Sequence, residues 1–246
     1  MRLGLKSGLT QVGATGAASF DSFTYDSDTF FWDGRSNTDT FTDNTIDTVG
    51  ADAVGKMPDQ LGSAVSLSED NRDYQPLVVT DGLNFGGSSN RTLTADSIAP
   101  LDSDATYFYM IANVRFDAIN GGVIFVNCGE DIWIYLTNSR KFGLKINGAW
   151  KTYSNSITLS SWQTFEYLID TVTNDVTFWL DGVETALQYD NVGTLSSFGA
   201  VTDIAVGTSG GSIDGALQML GMRMATTDDS DIRSSMQSYF TTELPS

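Results

Sequence analysis

Carboxylates are the abundant reactive groups in this sequence: 31 Asp and Glu residues stand against 13 Lys and Arg, with no histidine and a single cysteine, Cys128. Hydrolysis of a glycosidic bond by two acids requires both to face one reacting centre. Glu69 and Asp70 are adjacent, so on a strand they would point to opposite faces, and Glu166 reads as a solvent-facing position. Without a histidine, Cys128 lacks the usual base for nucleophilic work. It stands at the end of an apolar stretch, where a small buried residue is expected. No Cys or His cluster suits zinc, and no Gly-rich loop with a Lys suits phosphate. These absences predict a protein without catalytic machinery.

Binding chemistry has more candidates. Only Glu69, Glu130, Glu166, Glu184 and Glu243 are glutamates, so the acidity is mostly Asp, which favours turns and caps. That bias reads either as a soluble surface adapted to salt or crowding, or as calcium-binding loops, because carboxylate oxygens suit a hard cation. The calcium candidates are Asp26, Asp28, Asp33 and Asp39, although no spacing matches an EF-hand loop; no cofactor is required. For carbohydrate, aromatic faces stack on sugars while polar groups fix the hydroxyls. Trp133 and Tyr135 lie opposite in parity to Ile132, Ile134 and Leu136, and Trp150 and Tyr153 follow the Asn147-Gly148 turn. The same four aromatics would also fit a second core layer. A net charge of −18 and a pI near 4.1 argue against nucleic acid, whose phosphates need basic partners.

The elements that must position these residues are strands. From Trp162 to Gly182, Phe165, Tyr167 and Ile169 alternate with polar residues, then Val176, Phe178 and Leu180 do the same. Thr173-Asn174-Asp175 and Asp181-Gly182 supply the turns. Phe108, Met110, Ala112, Val114 and Phe116 share one parity, as do Ile132, Ile134 and Leu136. Asn120-Gly121 and Asn147-Gly148 mark further hairpins. Leu144, Ile146, Ile204, Val206, Leu220, Met222 and Met224 complete the expected core. Between residues 20 and 52, Phe23, Tyr25, Phe30 and Trp32 alternate with polar residues, as first strands or as an exposed aromatic strip. The period then changes: Ile232, Met236, Tyr239 and Phe240 form a helical stripe over about residues 228–242, with Thr227 or Ser230 as candidate cap. The reading is an all-β fold, a two-sheet antiparallel β-sandwich with a short C-terminal helix, preceded by an extended Gly-rich arm over residues 1–19. The N-terminus shows no continuous apolar segment of the kind a signal peptide or membrane span requires.

The Trp162–Gly182 hairpin, with a Trp opening one strand and Asp-Gly-Val closing the next, resembles the laminin G-like branch of the concanavalin A-like lectin/glucanase superfamily. Met57-Pro58-Asp59-Gln60-Leu61-Gly62, Tyr74-Gln75-Pro76-Leu77 and Gly82-Leu83-Asn84-Phe85-Gly86-Gly87 are similar to the opening of such domains, departing from them at Gly86, where the family has Asp. The resemblance covers about residues 50–245 and implies a jelly-roll sandwich. The family's glucanases carry Glu-x-Asp-x-x-Glu or Glu-x-Asp-x-Glu on one strand, and neither spacing occurs here.

The resemblance extends to modules of this branch found in bacteriophage and phage-like particles, and the leader Met1–Leu9 is similar to that of small phage structural proteins. What this implies is a homo-oligomeric virion surface or head decoration protein, made in a bacterial cytoplasm without a signal peptide. Leu3, Leu5 and Leu9 would anchor the arm to capsid or tail proteins by strand addition, or the arm is a disordered terminus. The alternative is a receptor-binding module for cell-surface polysaccharide.

Overall fold

The computed structural model describes residues 24–35, 39–41, 53–61, 65–70, 72–79, 81–86, 91–101, 105–120, 123–128, 132–137, 139–146, 149–190, 201–209 and 212–244. The strands run β1 (Thr29–Asp33), β2 (Asp39–Phe41), β3 (Ala53–Pro58), β4 (Ser66–Ser68), β5 (Leu77–Val79), β6 (Gly82–Asn84), β7 (Thr92–Leu101), β8 (Tyr107–Asn120) and β9 (Val123–Cys128). They continue with β10 (Ile132–Leu136), β11 (Lys141–Ile146), β12 (Ala149–Ser156), β13 (Trp162–Asp170), β14 (Asp175–Leu180), β15 (Val183–Glu184), β16 (Leu187–Asp190), β17 (Val201–Ser209) and β18 (Ser212–Ala225). One helix, α1 (Ser230–Thr242), follows.

Two antiparallel layers result. In the first, β18 carries β1 and β6 along one edge and β8 along the other, and β13, β14 and β15 extend the sheet. In the second, the order is β4, β7, β17, β9, β10, β11, β12, β16. Strand β3 pairs with β2, β4 and β5, and β5 with β6, joining the layers at one margin. The turn dipeptide Asp181-Gly182 adopts positive φ at both positions, 52° and 73°, matching the right-handed twist of the strands it connects.

The inward-facing residues of both sheets meet in one apolar core. Phe142, Phe165, Tyr167 and Phe178 pack there as a ring cluster, with neighbouring centroids 4.6 to 6.1 Å apart. Cys128 is fully buried, and loss of solvation raises its thiol pKa above the ordinary range.

A second apolar cluster lies on the outer face of the first sheet, where Phe31, Tyr109, Ile111 and Met219 receive Ile232, Met236, Tyr239 and Phe240 of α1. This explains why β1 is buried along its whole length: Phe30 and Trp32 enter the inter-sheet core while Phe31 faces the helix. The helical stripe is the one the sequence predicts. Its N-cap is Asp229, whose carboxylate accepts from the backbone N–H groups of Asp231 and Ile232, in place of the expected Thr227 or Ser230. A carboxylate there also meets the positive end of the helix dipole.

The helix overturns one expectation. Glu166 alternates with Phe165 and Tyr167 as a solvent-facing residue should, yet it is 3 % exposed, because α1 covers the face on which it lies. The arm of residues 1–19, with Leu3, Leu5 and Leu9, lies outside the described residues.

Candidate functional site

The strands β10 and β11 form a hairpin in which alternation sorts side chains cleanly. Ile132, Ile134 and Leu136 are buried, as are Phe142, Leu144 and Ile146, whereas Trp133, Tyr135, Lys141 and Lys145 are half-buried on the outer face. Register then matches them across the ladder. Trp133 stands opposite Lys145, whose Nζ lies over the indole ring, 3.4 Å from its centroid. An ammonium there is held by the ring's negative face. Tyr135 stands opposite Gly143, and its ring lies over that residue so closely that any side chain at Gly143 would collide with it.

The turn that fixes this register is tight. Arg140 takes a positive φ of 60°, its N–H donates to the Thr137 carbonyl at 2.9 Å, and the Lys141 N–H donates to Thr137 Oγ1 at 3.1 Å. In the next ladder Trp150 stands opposite Lys145, so Trp133, Lys145 and Trp150 occupy one cross-strand row. Tyr153 follows Thr152 on the same strand, at a shift in register with β16. The side chains of Trp150 and Tyr153 lie outside the described part of the structure.

The aspartates considered for calcium lie before β1, at its end and at the start of β2. The Asp26 carboxylate accepts from Arg223 Nε and Nη2 at 3.0 and 2.8 Å and from Thr29 Oγ1 at 2.7 Å. Burial alone would raise its pKa, but the Arg223 and Thr29 hydrogen bonds hold it below the ordinary carboxylate value. Asp33 is bound by the guanidinium of Arg35, which also reaches Glu243 at the end of α1 at 2.6 Å. Asp28 accepts from Ser27 Oγ at 3.3 Å. Asp39 begins β2, and its side chain lies outside the described part. Among the described residues, no three His, Cys, Asp or Glu side chains gather as a metal site would need.

Beneath α1 lies a polar layer that sequence reasoning missed. Glu166 accepts from Tyr109 Oη and from Gln237 Nε2, both at 3.1 Å. Burial raises its carboxyl pKa, more than the Gln237 and Tyr109 hydrogen bonds and the Arg233 charge lower it. Asn113 Nδ2 donates to Gln218 Oε1 at 3.0 Å and to the Phe240 carbonyl at 2.9 Å, while Thr164 Oγ1 donates to Asn113 Oδ1 at 2.8 Å. The Phe240 carbonyl is one that a helix end cannot satisfy internally. These groups satisfy one another and dock the helix.

Of the residues singled out for binding, Trp133 and Tyr135 are therefore placed together on one outer face. The residues that complete it, Lys145 and Gly143, carry no motif. Their signal in the sequence is their alternation with Leu144 and Ile146 across a hairpin from Trp133 and Tyr135.

No protein-family model matches this sequence, and no curated protein matches it. Solved structures do. Trypanosoma rangeli sialidase in complex with sialic acid superposes with a TM-score of 0.59 at 12 % identity, over 87 % of this chain and 33 % of that one. The botulinum neurotoxin serotype G binding domain gives 0.57 at 12 % identity, over 85 % and 50 %. The binding domain of botulinum neurotoxin DC in complex with rat synaptotagmin II gives 0.55 at 13 % identity, over 74 % and 49 %. The chain thus spans about a third of the sialidase and about half of the toxin domains, and what these likenesses show is the fold, a β-sandwich.

Proposed function

We propose that the chain is a non-enzymatic carbohydrate-binding β-sandwich whose contact face is the outer surface of β10 and β11. The observation that carries this reading is the Trp133 and Tyr135 pair, fixed on a rigid hairpin by Lys145 and Gly143. Rings already ordered by their neighbours lose little freedom on binding, which favours contact with a weakly held ligand such as a sugar. Structural neighbours support it in kind: one is a sialidase bound to sialic acid, and another is the toxin type C whose cell entry depends on two ganglioside molecules. The non-enzymatic part of the reading rests on the lack of a paired-carboxylate spacing in the sequence, and Glu166, enclosed beneath α1 with Tyr109 and Gln237 as its partners, is not an exposed acid.

A glycan array with purified protein tests the reading. Binding that falls roughly tenfold in Trp133→Ala supports it; binding unaffected in Trp133→Ala and Tyr135→Ala, or no binding to any glycan, overturns it. An added chelator arm tests calcium, which would show as binding lost in EDTA. Membership of the laminin G-like branch and a place on a virion surface rest on the sequence resemblance alone. Anchoring by the arm is tested by deleting residues 1–19: a truncated protein that still loads onto particles normally ends the arm hypothesis.

A further inference from the structure

The charge of this acidic chain is segregated. No Asp or Glu occurs from residue 132 to residue 165, whereas Arg140, Lys141, Lys145 and Lys151, four of its 13 basic residues, all fall there. Strands β10 and β11 pair, and Lys141 and Lys145 share the outer face of β11, so the segregation in sequence is one in space there, whereas Lys151 of β12 stands opposite the buried Leu144. Glu130 and Asp131 immediately precede β10 in the chain; on the described strands of this layer, acidic positions next occur at Asp190 on β16, opposite Lys151, and at Asp203 on β17, two strands from β10. A local cationic strip on a molecule of net charge −18 is a place where an anion meets less repulsion than over the molecule as a whole.

The spacing narrows the ligand. Lys141, Gly143 and Lys145 share the outer face of β11, since Phe142, Leu144 and Ile146 are buried. The two lysines are four residues apart, about 13 Å along an extended strand. Between them lies the Tyr135 ring over Gly143, and beside Lys145 is Trp133. With Lys145 Nζ drawn over the Trp133 ring, the two positions favour a ligand longer than a single small anion. An extended chain suits them, with charges at intervals and apolar ring faces between them.

We infer that the ligand of this face is an anionic saccharide chain, carrying carboxylate or sulfate groups that meet Lys141 and Lys145 while an intervening ring lies on Tyr135, beside the Lys145-covered Trp133. This rests on the carbohydrate-binding reading above. The experiment uses the full chain on an immobilised panel of uronate, sialylated and sulfated oligosaccharides, each beside its carboxyl-reduced, desialylated or desulfated counterpart, with polyglutamate as a non-saccharide polyanion. At least one charged member binds more tightly than its neutral partner, and the advantage shrinks as salt is raised. Lys141→Gln weakens binding of the charged member roughly tenfold and leaves binding of its neutral partner and thermal unfolding unchanged; Lys145→Gln weakens the charged member as much and, by releasing the Trp133 ring, also lowers binding of the neutral one. Equal affinity for charged and neutral partners, with Lys141→Gln silent, overturns the charge preference and leaves carbohydrate binding standing. Binding to no saccharide removes both. Polyglutamate binding as tight as the best saccharide reduces the strip to diffuse ionic attraction and also overturns the inference.

Discussion

The Tyr135 ring lies across Gly143, its partner in the β10–β11 ladder, so that a methyl group on Gly143 would collide with Tyr135 Cζ. Gly143→Ala must therefore push the ring off the strand. Overpacking of this kind costs about 1–3 kcal/mol, and glycan binding by the face should fall with it. Thermal unfolding and a glycan titration check both halves. A variant that melts and binds like the parent would show that the ring is not held over Gly143.

Glu166 gives a pH dependence with a definite sign. Its folded pKa is raised, so its contribution to stability is complete below the unfolded value, about 4.3, and is lost as pH rises through the folded one. Glu166→Gln removes this titration. Urea unfolding from about pH 4 to pH 7 should show the parent losing stability relative to the variant as pH increases. A constant difference across that range would mean that Glu166 does not change its proton affinity on folding.

The Arg223–Asp26 pair titrates in the opposite sense. Asp26 has a lowered pKa, so its contribution is present above the unfolded value, about 3.9, and disappears as pH falls through the folded one. Arg223 is only 6 % exposed, so Asp26→Asn leaves a buried cation without its carboxylate. Because Asp26 is itself a third exposed, solvent screening holds the expected loss to about 1–2 kcal/mol. Denaturation at neutral pH should reveal it, with parent and variant converging in strong acid.

Gly221 of β18 lies directly beneath the side chains by which α1 packs on the sheet. A Cβ at Gly221 would stand 2.5 Å from Met236 Cε and 3.2 Å from both Ile111 Cγ2 and Phe240 Cζ. Gly221→Ala should force the Met236 terminal methyl aside at a cost of about 1 kcal/mol, and a Gly221→Ala/Met236→Ala double variant should not show the sum of its two single losses. Asp229→Ala removes the N-cap and should cost about 1 kcal/mol by itself. Strict additivity in the Gly221 and Met236 cycle would contradict this packing.

Alternation in the sequence determined most of the strands and the inward faces of β8, β10, β13 and β14, because a period of two is a local property of an extended chain. The Asp181-Gly182 turn and the Ile232, Met236, Tyr239, Phe240 stripe were legible for the same reason: each depends on residues close together in the chain. What lies against an outer face is not local. Glu166 and Phe31 occupy outward positions that α1 covers, and Asn113, Gln218 and Thr164 become a buried polar layer only when that helix docks. Likewise, the parity of Trp133 and Tyr135 is written in the sequence. Their partners Lys145 and Gly143 were decided by the register of two strands, which a turn and the packing of a whole sheet fix together.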